Sequence, residues 1–62
     1  MKRFDRVTIT KVGRYSGETG RIWAIYPVGP GFNIYEIELD KDFLYDVRET
    51  LLVKENEIQL IN

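Results

Sequence analysis

Apolar and polar positions alternate along short stretches of this chain, and the period is two rather than 3.6. Val7-Thr8-Ile9-Thr10 is β-branched throughout and alternates, which predicts a half-buried strand with Val7 and Ile9 turned inward. The clearest stretch is Ile34-Tyr35-Glu36-Ile37-Glu38-Leu39, with Tyr35, Ile37 and Leu39 as the inward set and Glu36 and Glu38 outward. Between them, residues 13–20 form a polar loop with glycines. Residues 20–26 predict a second strand, ended by Pro27 and a Val28-Gly29-Pro30-Gly31 turn, because proline cannot donate to a central ladder.

After a turn at Asp40-Lys41-Asp42 the pattern is less regular. Phe43-Leu44-Tyr45 predicts a hairpin arm and Leu51-Leu52-Val53 the end of a fourth strand. Lys54-Glu55-Asn56-Glu57 is then a single helical or 3-10 turn, and Ile58-Gln59-Leu60-Ile61 a short closing strand. Five short strands with turn signals between them predict one all-β domain over residues 1–62, a small barrel.

Composition narrows the function. The chain has 62 residues, no cysteine and no histidine, so thiolate chemistry, disulfides, imidazole-based triads and HExxH zinc sites are all excluded. The expectation is a non-enzyme with no cofactor and no metal. The carboxylates of Asp40, Asp42 and Asp46 lack the glycine and closing Glu of a calcium loop, and predict a solvated turn. No apolar run reaches the roughly 20 residues of a membrane span, and no apolar h-region follows the Met-Lys-Arg start, so a cytoplasmic protein is expected. Charge is uneven: residues 1–21 carry six basic and two acidic groups, residues 22–62 three basic and eight acidic. Either the two halves neutralise each other within the fold, or the basic half meets phosphates and the acidic half a basic partner.

Two stretches carry a family resemblance. Asp5-Arg6-Val7-Thr8-Ile9 followed by Gly17-Glu18-Thr19-Gly20-Arg21-Ile22 is similar to the strand, loop and strand of SH3-like barrels of the KOW type, found in ribosomal proteins and NusG-like elongation factors. The run from Val53 to Leu60 resembles the strand, single turn and closing strand of many SH3-like barrels. The resemblance implies a five-stranded SH3-like barrel with a single 3-10 turn before the last strand. It also implies a small binding module of either the scaffold or the nucleic-acid kind.

Candidate contact residues follow from the strand phase. If Ile22, Ala24 and Tyr26 face the core, Arg21, Trp23 and Ile25 face outward, with Ile34 beside them, and make a partner-binding surface of the residue types that dominate interfaces. In the reversed register Trp23 is a core residue and Tyr26 lies at the rim. Tyr15 in the first loop and Phe32 after the Gly-Pro-Gly turn either grip a ligand or cap the barrel ends. Glu36 and Glu38, with Glu55 and Glu57, form either a solvated face or an acidic patch. The first functional reading is a protein-binding module using Arg21, Trp23, Ile25, Tyr15 and Phe32. The second is a nucleic-acid module using Lys11, Arg14, Tyr15 and Arg21, a cluster of basic residues around an aromatic. Self-association is compatible with either; a shared catalytic pore would require it.

Overall fold

The computed structural model describes residues 1–43 and 50–61; of the arm expected over Phe43-Leu44-Tyr45, Phe43 belongs to a helical turn instead, and Leu44, Tyr45 and the carboxylate of Asp46 lie outside the described residues. The fold is all-β. Strand β1 is Arg6–Ile9, β2 Thr19–Gly29, β3 Phe32–Leu39, β4 Thr50–Lys54 and β5 Ile58–Leu60. A single helical turn, Asp40–Phe43, follows β3 where a plain turn was expected, and a 3-10 turn, Glu55–Glu57, separates β4 from β5. All pairings are antiparallel, in the order β4-β3-β2-β1-β5.

The sheet is not closed: β4 and β5 stand at its two ends without a ladder between them. Its inner face is nevertheless dry. Val7, Ile9, Ile22, Tyr35, Ile37, Leu39, Val53 and Ile58, drawn from all five strands, form one buried cluster, with Tyr15, Ile25 and Leu51 packed against it. Alternation accounts for this: in β1, and in β3 from Tyr35 on, every second residue is apolar, and period two sends those residues to one face. Among the described residues no second layer of secondary structure covers that face; Tyr15 of the first loop packs against it.

Strand β2 departs from the expected pattern twice. Ile22 pairs with Ile37, Ala24 with Glu36 and Ile25 with Tyr35, so Trp23 is an extra residue in a bulge. An inserted residue reverses the alternation beyond it. Ile25, expected outward, therefore packs against the core, while Ala24 and Tyr26, expected inward, share the outer face with Glu36. The second departure is at Pro27, which lies within β2 rather than ending it. Strand β1 pairs only with Thr19, Gly20 and Arg21. Farther along, β2 is flanked by β3 alone, and an edge tolerates a residue without an N–H. The turn narrows to Pro30 and Gly31, with Gly31 at φ 69°.

An ion pair and a hydroxyl tie the starts of β1 and β2 to the helical turn. Arg6 donates from Nη1 and Nη2 to the two carboxylate oxygens of Asp40, at 2.7 and 2.6 Å, and Thr19 Oγ1 donates to Oδ2 at 2.6 Å. The Arg6 hydrogen bonds hold the Asp40 carboxyl below its usual range against the opposing effect of burial. A depressed folded pKa contributes stability above the unfolded value and loses it as pH falls through the folded one. The pair is about half exposed, so Asp40→Asn is expected to cost about 1 kcal/mol at pH 7. That difference should begin to shrink below about pH 4, the ordinary Asp value, and fade as pH falls through the lower native one. Urea unfolding of both proteins at pH 7 and pH 3 measures it, and an equal gap at both values would refute it.

Candidate functional site

The most elaborate surface arrangement is built around Trp23 by a segment with no regular structure. Residues 1–5 run beside the start of β2. Lys2 N–H donates to Asp5 Oδ2 at 2.9 Å and Asp5 N–H to the Lys2 carbonyl at 3.1 Å, closing a tight turn. Phe4 takes φ 73° within it, a left-handed conformation that a bulky side chain adopts only when its surroundings hold it there. Those surroundings are on β2: Phe4 N–H donates to the Ile22 carbonyl at 2.7 Å, and Arg3 Nε donates to the Trp23 carbonyl at 2.9 Å.

The side chains then interleave. The Phe4 and Trp23 rings meet edge to face, with centroids 6.2 Å apart and planes at 72°. The guanidinium carbon of Arg3 lies 4.7 Å from the Phe4 centroid and 5.3 Å from that of Trp23. That of Arg21 lies 5.6 Å from each. Both cations thus sit within the distance at which a ring quadrupole attracts them. Arg21 is fixed from the other side by Glu38 Oε1, 3.0 Å from both Nε and Nη2. Trp23 is half-buried, between the two registers considered for it, because Phe4 and the arginines cover it on the outer side of the bulge. Phe4 remains 53% exposed.

No protein-family model matches the chain, and no curated protein or solved structure matches it either.

The residues singled out from the sequence are divided among several places. Arg21 and Trp23 stand in the patch just described. Ile25 lies on the core side. Tyr15 packs on the core from the first loop, with Arg14 Cζ 5.7 Å and Lys41 Nζ 5.2 Å from its ring centroid. Beside it is a hollow of about 140 Å³ lined by Lys11, Val12, Gly13, Arg14, Tyr15 and Leu51. Lys11 pairs with Glu57 at 3.7 Å and Lys41 with Glu18 at 3.6 Å. The first loop is anchored on the 3-10 turn, since Thr10 and Lys11 N–H both donate to the Glu57 carbonyl. Phe32 lines a separate hollow of about 430 Å³ with Gly31, Asn33, Lys54, Glu55 and Asn56. The two hollows share no lining residue.

The glutamates are engaged individually. Glu36 accepts from Thr50 Oγ1 and Tyr26 Oη, each at 2.6 Å, which hold its carboxyl below the usual range and raise the Tyr26 hydroxyl above its own. Glu57 accepts from the Lys54 N–H at 2.8 Å and is likewise lowered. Sequence reasoning missed Arg3 and Phe4. The available signal was Phe4 standing among Lys2, Arg3 and Arg6, an aromatic between cations in a segment assigned to no strand.

Proposed function

We propose that the chain is a non-catalytic protein-binding module on an SH3-like barrel, working in the cytoplasm, and that it receives its partner on the patch of Arg3, Phe4, Arg21 and Trp23. The barrel reading is supported by the 3-10 turn between β4 and β5, as the resemblance to KOW-type barrels implies. The observation that carries the binding reading is Phe4: a half-exposed aromatic held in a left-handed backbone, against a tryptophan and between two arginines. Aromatic and arginine side chains held rigid before contact are the residues that supply most interface energy. The outer sheet face continues the surface with Tyr26, Ile34 and Leu52, of which Tyr26 and Leu52 are exposed.

A photo-crosslinking side chain at position 4, compared with one at position 59 on β5, tests the reading in extracts of the cells that carry the protein. One protein should crosslink at position 4, and the product should disappear when Arg3 is replaced by Ala. Equal, unspecific crosslinking at both positions would remove the proposal.

A second reading, a nucleic-acid module using Lys11, Arg14, Tyr15 and Arg21, is favoured by one observation, the two cations over the Tyr15 ring. It requires a steep loss of affinity with salt, because phosphate contacts release counterions. Against it, Lys11, Lys41 and Arg21 are each already paired with a glutamate.

A further inference from the structure

We infer that the partner presents to this patch a carboxylate flanked by aliphatic side chains, on a protein segment, and that the guanidinium of Arg3 receives the carboxylate. The inference rests on the protein-binding reading above and specifies its chemistry.

Among the described residues Arg3 shares the lack of an acidic partner with Lys2, Arg14 and Lys54, but of these it is the one that both donates a side-chain hydrogen bond and lies against two rings. Arg6, Lys11, Arg21 and Lys41 each have an acidic partner within 4.0 Å; Arg3 has none among the described residues. It is nevertheless fixed rather than free in solvent. Nε is bound to the Trp23 carbonyl, and the plane is held against Phe4 and Trp23. With Nε committed, the donors left are those of the two terminal nitrogens, the end-on fork that matches the two oxygens of a carboxylate. A guanidinium is weakly hydrated, and this one already rests on two rings, so little water has to be stripped from it. Its rotamer freedom is also already restricted in the free protein.

The surroundings select among anions. Phe4 offers an exposed ring beside the fork, and Tyr26 and Leu52 extend the apolar surface on the sheet, which suits aliphatic neighbours of the carboxylate. Glu38 on Arg21, Glu36 in the next row and Asp5 in the turn border the same region. A nucleic-acid strand brings a phosphate with every nucleotide and would set several of them against these carboxylates. A single carboxylate meets less of that repulsion than a chain of phosphates does.

The test is a titration of the full chain with two blocked pentapeptides, Gly-Leu-Glu-Leu-Gly and its Gly-Leu-Gln-Leu-Gly analogue, and with hexathymidylate. It is followed by Trp23 fluorescence and by the Arg3 Nε–H resonance. The glutamate peptide should bind about tenfold more tightly than the glutamine one, the scale of a charge-assisted hydrogen-bonded pair. Arg3→Gln should erase the preference, and Arg3→Lys should keep only part of it, having the charge without the fork. Equal binding of the two peptides overturns the inference, as does hexathymidylate binding as tightly as the glutamate peptide. So does a spectral change that follows protein concentration alone, which would make a second copy the occupant. The wild-type comparison of the two peptides decides the matter even if a variant folds poorly. Equal peptide binding together with a protein crosslink at position 4 would overturn the carboxylate and leave the module; loss of the crosslink would remove the module itself.

Discussion

Gly20→Ala is expected to remove roughly a third or more of the protein's stability. Gly20 is buried in β2 between its register partners Val7 and Leu39. A Cβ there would stand 2.4 Å from the Glu38 carbonyl oxygen and 3.0 Å from Ile37 Cγ2. The first obstacle is backbone of the neighbouring strand, which cannot rotate away as a side chain can. Relief requires β2 and β3 to separate, at the centre of the sheet. A cost of about 3 kcal/mol or more is expected, above the usual range for a single substitution. A 62-residue domain has roughly 3–9 kcal/mol in total. Far-UV circular dichroism with urea unfolding measures the loss. The control is Gly29→Ala, where an added Cβ meets nothing within 4 Å and little change is expected. A Gly20→Ala protein as stable as that control would show that the strands are not in the close approach described.

Ile37→Ala carries the second large effect. Ile37 is fully buried, lies in register with Ile22 on one side and Leu51 on the other, and sits in the middle of the single core cluster. Truncation removes three carbons from water-excluded packing and leaves a cavity that the sheet closes only in part. The expected loss is about 3–4 kcal/mol, against about 1 kcal/mol for Ile37→Val. Urea unfolding of the two variants separates the values. A loss below 1 kcal/mol for the alanine variant would mean that the core repacks around the gap, and would weaken the description of one contiguous cluster.

Much of the strand pattern was legible because it is local. Tyr35, Ile37 and Leu39 alternate with Glu36 and Glu38, and all three are buried; Val7 and Ile9 behave the same way. The turn and closing strand after β4 were legible from Lys54 to Leu60 for the same reason. Strand β2 was not legible in full. Ile22-Trp23-Ala24-Ile25-Tyr26 is apolar at every position, so it carries no phase, and nothing in it marks Trp23 as the inserted residue. The glycines were also misassigned in part. Gly17, at φ 85°, does serve the first loop, whereas Gly20 serves the contact between β2 and β3.

The candidate site was half legible. Arg21 and Trp23 were found from residue type and position, while Arg3 and Phe4 are brought to them only by hydrogen bonds to Ile22 and Trp23, 18 and 20 residues away in the chain. The sequence by itself determined the all-β class, the inner set of β1 and β3, and the absence of thiol and imidazole chemistry, because each is a property of residue type or of period two. Tertiary structure alone decided the bulge, the passage of β2 through Pro27, the open ends of the sheet and the closing of residues 1–5 over Trp23. Each of these depends on which strand lies alongside, and a neighbour supplied by chain folding leaves no mark in the local order of residues.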